Sequence, residues 1–388
     1  IQHFPLHVIM TDTSDSASLA LPSLEGDPCA YDEPIYLTER FVLVTLIGTV
    51  IAVVSAVENS FLSFLLLRSR HRSSHLLYLG LLAVCDVFIA LSYIPLMSAN
   101  LLADMLRSAT LLKAWFHYMV PMITISHIAM TASSFLIVTA TFERYTLTVS
   151  PDKAKFLHRN RMSIAAAALL LGLLTKMTMA FELNISHNEE CASLMTEYSL
   201  SHSSLAKNPL YDSLWRFFAR NLVTVYLPFV LLALMNIRIV TVISGRGREV
   251  DDNHARRKRV REATMTMIMV VFVYLLSNTL NVIVTIWEYI DAERLQVQYE
   301  GFYMFSVDIV SLLTVLGGTL RLPIYLICQS QLRRDFACVV SRIVKGGEKA
   351  YQTAPRDEEK KELHNDDDSS SRLLSPLPFP AFPLPPSP

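Results

Sequence analysis

Charged side chains stranded inside long apolar runs are the residues with chemistry to do in this chain. Asp86 ends the run Leu82-Ala83-Val84-Cys85, Arg321 lies two residues before Pro323, and Glu143-Arg144-Tyr145 closes another apolar stretch. An ionised side chain at the centre of hydrocarbon costs roughly 2.5–3.5 kcal/mol on insertion scales, so Asp86 needs a partner. Arg216 and Arg220 recur four apart and share one helix face, a pair suited to a carboxylate or an acidic peptide group. Glu288 suits a ligand group that carries a guanidinium. His71 and His75 are a His pair at helical spacing, and no further His or carboxylate cluster joins them to complete a metal site. There is no Gly-x-Ser-x-Gly elbow and no paired-aspartate signature. The chain therefore reads as a non-enzyme that needs no metal or cofactor.

The elements that must hold these residues are membrane spans. Of 388 residues, 52% are apolar and 18% charged, against about one-quarter charged in soluble domains. A net charge of −1 gives no basic surface for nucleic acid. The apolar residues fall in runs near the length needed to cross about 30 Å of hydrocarbon. Seven such runs are expected, at 41–67, 75–99, 116–148, 161–181, 214–243, 263–288 and 302–328. The third mixes Ser, Thr and His among its apolar residues, as a helix surrounded by helices does. Lys176, near the outer end of the fourth, has a stem long enough to snorkel to the interface. The predicted fold is an all-α, seven-span membrane bundle with no internal repeat of the kind transporters carry.

Loop charges orient it. The loops after spans 1, 3 and 5 hold fourteen Lys and Arg, and the N-terminal segment and remaining loops hold five. The positive-inside rule puts the N-terminus outside and the C-terminus in the cytosol. The single glycosylation sequon, Asn184-Ile185-Ser186, falls in an outer loop. The organisation predicted is an outer segment 1–40, a bundle 41–328, an amphipathic helix 329–346 and a disordered acidic, Pro-rich tail 347–388. No signal peptide is read in the first segment; the chain begins at Ile1, and both a fragment and a start at Met10 stay open.

Landmarks recur in order along the spans. Glu58-Asn59 lies in the first, Asp86 in the second and Glu143-Arg144-Tyr145 at the end of the third, with Pro151 after it. Pro228 is in the fifth, Pro323-Ile324-Tyr325 closes the seventh, and Leu332-Arg333-Arg334-Asp335-Phe336 follows. Over about 41–343 the chain resembles the rhodopsin-like (class A) G-protein-coupled receptors. Ser277-Asn278-Thr279-Leu280 stands where most members carry Cys-Trp-x-Pro, and Asn236 where a Tyr is common. Here, and at Thr285 to Glu288, the chain is similar to invertebrate neuropeptide receptors of the FMRFamide type.

That resemblance implies a plasma-membrane receptor for a short, amidated peptide, acting on a heterotrimeric G protein. Arg144 would pair locally at rest and meet the G protein when span 6 swings out, with Glu143, Tyr145, Pro151 and Tyr325 in the same machinery; plain snorkelling at the membrane edge also accounts for an Arg there. Asp86 corresponds to a sodium-holding position, assisted by Ser133, and Arg321 falls where an Asn usually faces it. Asn59, Asp86, Ser133 and Arg321 would form a polar core in which Arg321 fills the sodium site, unless Arg321 snorkels to the cytosol. The prolines Pro228 and Pro323 would kink spans 5 and 7. The expected ligand wall is Ser126, His127, Met130, Arg220, Asn281, Glu288 and Ser311. The family's span 3 cysteine is missing, with Met119 in its place. Cys191 lies in the expected loop, and Cys29 is its one outer candidate partner; the two also have the choice of staying free or pairing between chains. Cys338 is a candidate palmitoylation site, touching membrane lipid. Ser369, Ser370 and Ser371 would offer a receptor kinase and arrestin a target, or be a solvated run. A receptor that couples poorly, or takes a non-peptide ligand, is the alternative; a transporter or intramembrane hydrolase ranks below it.

Overall fold

A computed structural model of the chain describes residues 29–67, 76–149, 156–245, 254–291 and 294–345. Seven helices are long and apolar enough to cross a membrane: Leu37–Leu67, Leu76–Met105, Ala109–Val149, Arg161–Phe181, Leu222–Val242, Arg261–Ile290 and Glu300–Cys328. They are called spans 1 to 7. With no water in the bilayer core to satisfy backbone groups, the helix satisfies its own. Spans 1 to 3 run further at their outer ends than hydropathy suggests. Polar residues such as Glu39, Asn100, Asp104 and Lys113 interrupt the apolar runs there without ending the helices. Pro151, the residues up to 28 and the tail after 345 lie outside the described residues, as do the serines at 369–371.

Two prolines shape the helices that flank the cavity. Pro228 has no N–H for the Thr224 carbonyl, and a wide π-type turn over Leu222–Tyr226 lies just before it. Span 7 is broken between Glu300–Thr319 and Arg321–Cys328. Pro323 explains the break, because it cannot donate to the Thr319 carbonyl and its ring crowds that oxygen.

Spans 2 and 3 are the most enclosed, with Tyr78, Leu82, Phe116, Met119 and Leu136 all buried. Span 4 meets span 3 at Gly172, where an added Cβ would lie 2.8 Å from the Ala132 backbone nitrogen. Span 1 shows the opposite face. Val50, Val57 and Phe64 recur seven apart and are each more than 60% exposed, an apolar stripe whose solvent is lipid.

Between spans 4 and 5 the chain forms a hairpin that the sequence reading did not anticipate. Strand β1 (Leu183–His187) pairs antiparallel with β2 (Tyr198–His202), Leu183 opposite His202 and His187 opposite Tyr198. Its signal was present: Leu183, Ile185, Tyr198 and Leu200 alternate with polar residues at the strand period. Residues up to Arg333 form one compact unit, and those after it a second. A helix runs over Ser330–Lys345, bringing Leu332 and Phe336 to one side by their spacing.

Candidate ligand cavity and switch residues

At mid-membrane, Asp86 of span 2 and Arg321 of span 7 are both buried and form an ion pair. The second guanidinium nitrogen reaches the Ser133 hydroxyl of span 3 at 3.5 Å. Arg321 is the first residue after the span 7 break, so Pro323 sets where its side chain begins. It does not snorkel to the cytosol. Gly318 permits the approach: an added Cβ would sit 3.1 Å from Ser55 Oγ and 3.6 Å from the Asp86 side chain. The bare backbone there lets Asn59 Nδ2 donate to the Gly318 carbonyl at 3.2 Å and to the Ser55 carbonyl at 2.9 Å. Spans 1, 2, 3 and 7 thus meet at one polar centre. Tyr325, a turn below, is fully buried, with no partner for its hydroxyl among the described residues.

At the inner end of span 3, Glu143 and Arg144 are buried beside one another, yet the Glu143 carboxylate is taken by Arg161. Arg161 Nε lies 3.0 Å from both carboxylate oxygens, and His158 Nδ1 stands 4.0 Å away. The local pairing of Arg144 expected at rest is therefore not made with Glu143, because Arg161, first residue of span 4, presents its fork directly to that carboxylate. Tyr145 is half-buried. On span 6, Glu262 accepts from both the backbone N–H (3.3 Å) and the hydroxyl (2.9 Å) of Ser330, tying the inner end of that span to the end of span 7.

The main cavity lies between spans 2 to 7 and encloses about 1030 Å³ of empty space, its open mouth included. His127, Met130 and Asn281 are on its wall. Its lower wall is the Asp86–Arg321 pair, and Tyr274, whose hydroxyl meets Ser134 Oγ at 2.9 Å, lies beside it. A smaller cavity of about 530 Å³ next to it takes Ser126 and Ser311, and shares His127 and Met130. Arg220 and Glu288 line neither. Arg220 is 1% exposed and ion-paired with Glu182, which also accepts from the Tyr211 hydroxyl at 2.7 Å. Burial pushes the Glu182 carboxyl up, and the Arg220 guanidinium outweighs it, holding the group below its ordinary value. Arg216 is held by Asp212 and reaches His202 at 3.3 Å. The two-arginine face read from the sequence is thus already engaged by the protein's own carboxylates. Glu288 accepts from the Tyr303 hydroxyl at 3.3 Å.

Lys176 is the residue the sequence reading placed wrongly. It is 3% exposed and forms part of the cavity wall instead of snorkelling outward. After Lys176 the helix tightens to 3₁₀ over Met177–Phe181 and the chain turns into β1, so its stem lies under the hairpin, not at a free helix end. A lysine two-thirds of the way along an apolar run was the available signal.

Above the cavity, Cys29 and Cys191 are disulfide-bonded, with Cα atoms 5.4 Å apart. The segment after Cys29 is held at three further points. Tyr31 donates to Asp104 at 2.9 Å, Glu33 pairs with Arg107, and Arg40 reaches Asp308 of span 7 at 2.6 Å. Sequence reasoning missed the last pair, although an acidic residue inside span 7 called for a partner. The hairpin is tethered in turn: Glu197 accepts from the Ser193 N–H at 2.8 Å and from Lys113 at 3.0 Å, and these contacts hold its carboxyl down at about 2. Asn184 is exposed on β1. Cys338 lies on the C-terminal helix.

Comparison with known proteins agrees with this architecture. The family model described as 7 transmembrane receptor (rhodopsin family) matches residues 58–317. No curated protein matches the chain. The matched stretch includes Asn59, Asp86 and Ser133 of the polar centre and ends four residues before Arg321. With two-thirds of its length covered and seven spans in place, the chain belongs to the rhodopsin family of seven-transmembrane receptors, a family of receptors and not of enzymes.

Proposed function

We propose that this receptor sits in the plasma membrane, binds a short amidated peptide from outside and passes the signal to a heterotrimeric G protein. One observation carries the reading. Residues of the outer half, Asn281 and Thr285, and the Asp86–Arg321 pair at mid-membrane are walls of the same cavity. A ligand seated there touches spans 5, 6 and 7 directly, so it has the differential contacts needed to bias one arrangement of the bundle over another. Inside, the Glu262–Ser330 bonds hold span 6 to span 7. Their release is the inner half of the switch, and Arg144 is the group a G protein would then meet. The receptor kinase and arrestin are proposed to act on the C-terminal tail, and Cys338 to carry a lipid.

The Arg321–Asp86 pair also favours a second reading, a receptor that binds ligand yet couples poorly. A direct span 2–span 7 ion pair is a restraint that an activating ligand must overcome. One experiment separates the two. G-protein dissociation is followed in transfected cells against a panel of amidated FMRFamide-like peptides, beside an Arg144→Ala receptor matched for surface expression. A peptide-evoked signal lost in the variant supports the first reading. Silence from a well-expressed receptor sinks it in favour of the second.

A further inference from the structure

Of the charged side chains on the main cavity wall, Asp86 and Arg321 neutralise one another, which leaves Lys176. Its ammonium has no hydrogen bond or ion pair with a described residue, although the side chain is 97% removed from solvent. The nearest carboxylate, Glu182, is committed to Arg220 and Tyr211. Arg220 offsets Glu182, so an anion entering the cavity is the counter-charge that Lys176 lacks when it takes up a proton.

Thr224 stands on the same wall. It is 94% buried, and its hydroxyl has no hydrogen-bond partner among the described residues. Several buried hydroxyls in this bundle bond back to a carbonyl four residues earlier, as those of Thr124 and Ser134 do at 2.8 and 3.0 Å. Thr224 sits in the wide turn ahead of Pro228, where the ordinary i−4 geometry is lost, so its hydroxyl is left to point elsewhere. Arg220, four residues before Thr224, is ion-paired with Glu182, six residues after Lys176, so this pair joins the stretches of spans 4 and 5 that put both residues on the cavity wall. A buried ammonium and a buried hydroxyl, neither satisfied from within, are a donor pair for one anionic oxygen group.

We infer that Lys176 and Thr224 anchor a carboxylate of the ligand, so that the part of the ligand entering the main cavity is acidic. The inference rests on the reading of this cavity as the ligand seat and adds the charge of what it takes. A cationic ligand group is disfavoured at this end, and an amidated peptide must offer an acidic side chain to it. The same chemistry is available from a separate small organic acid.

The test uses purified full-length receptor and two acids, 3-phenylpropionate and acetyl-Asp-Phe-amide, each beside its uncharged counterpart, 3-phenylpropionamide and acetyl-Asn-Phe-amide. Thermal unfolding is the first readout. At about ten times its dissociation constant, an acid that binds raises the unfolding temperature by roughly 2 °C, and the amide does not. Lys176→Met and Thr224→Val each remove the difference between acid and amide. The second readout needs no variant. Reductive methylation of the wild type, read by mass spectrometry, finds Lys176 protected by the acid and not by the amide. Binding of the dipeptide alone marks a peptide side chain as the source, and of phenylpropionate alone a small acid. If neither acid outperforms its amide, or Lys176 is methylated equally in all samples, the inference is overturned. A peptide-evoked G-protein signal that survives Lys176→Met with unchanged potency overturns it too and leaves the receptor reading intact, whereas acid binding without any such signal does the reverse.

Discussion

Replacing Asp86 by Asn tests the polar centre most directly. The side chains of the Asp86–Arg321 pair are only 4% and 9% exposed, so neither charge is screened by solvent. Once the carboxylate is gone, Arg321 keeps only neutral contacts, the replacement's amide oxygen and the Ser133 hydroxyl at 3.5 Å, and neither balances the charge of a buried cation. Removing one partner of a buried pair typically costs about 3–5 kcal/mol. At about 1.4 kcal/mol per factor of ten, that lowers the ratio of folded to unfolded receptor by between roughly 10² and 10⁴. Arg321→Asn strands Asp86 by a similar amount, but the vacated space then faces a lone carboxylate, and sodium should stabilise that variant over potassium. The double variant Asp86→Asn/Arg321→Asn removes both charges and should cost less than either single change, which makes the coupling larger than about 3 kcal/mol. Thermal unfolding of the four purified receptors, each in sodium and potassium chloride, reads all of this. If the two single losses simply add in the double variant, or if sodium stabilises the wild type, the pair does not hold the centre as described.

Three further outcomes are expected. Cys29→Ser or Cys191→Ser opens a link between residues 162 apart in sequence, lowers stability by about 4–5 kcal/mol on loop-entropy grounds and exposes residues 29–36 to limited proteolysis; non-reducing peptide mapping of the wild type should recover the two cysteines in one fragment pair. Because Arg220 holds the Glu182 carboxyl below its ordinary value, the stability this group contributes is present above the unfolded value near 4.3 and lost as pH falls through the lower folded one. The difference in unfolding temperature between wild type and Glu182→Gln should thus be flat from pH 8 to about 5 and shrink only below about 4. Gly172→Val places a side chain against the Ala132 backbone, and overpacking of about 1–3 kcal/mol or more should appear as reduced surface expression, with Gly172→Ala milder.

Period and length made the seven spans legible, because hydrocarbon allows few solutions for a backbone. The residues alone showed that Asp86 needed a partner, and the family resemblance, which sets Arg321 where an Asn faces that position, named it. What could not be read was competition among several candidates. Arg161 looked like one more inside-positive charge, yet it takes Glu143 ahead of the adjacent Arg144. Arg216 and Arg220 share a face, and the carboxylates that engage them, Asp212 and Glu182, differ in origin: one is a turn away on the same helix, the other arrives from the end of span 4. Pairing across spans depends on rotation and depth of each helix, quantities that a single sequence does not encode locally. Lys176 shows the same limit, since the snorkelling reading assumed a helix end facing lipid where the hairpin instead closes over it.

The distribution of these pairs bears on how the bundle finds one arrangement. Apolar helices gain little hydrophobic free energy from one another in lipid, so packing and polar contacts must select their neighbours. Arg40–Asp308 joins spans 1 and 7 near the outer face, Asp86–Arg321 joins 2 and 7 at mid-membrane, and Glu143–Arg161 joins 3 and 4 at the inner face. Each pair fixes the relative rotation of two helices at a different depth, and span 7 is held twice, on either side of its break at Leu320. The outer half of span 7 is thereby referred to span 1 and the inner half to span 2. Motion that a ligand drives through span 7 is channelled to the Pro323 break between them, with the Asp86–Arg321 pair as the bond that has to shift. Span 6 is joined to its neighbours by hydrogen bonds at three depths: Tyr303 to Glu288 near the outer face, Tyr274 to Ser134 beside the cavity, and Ser330 to Glu262 at the inner end. A single hydrogen bond such as Ser330 to Glu262 costs less to break than the buried Asp86–Arg321 pair, which puts the restraint on activation in span 7.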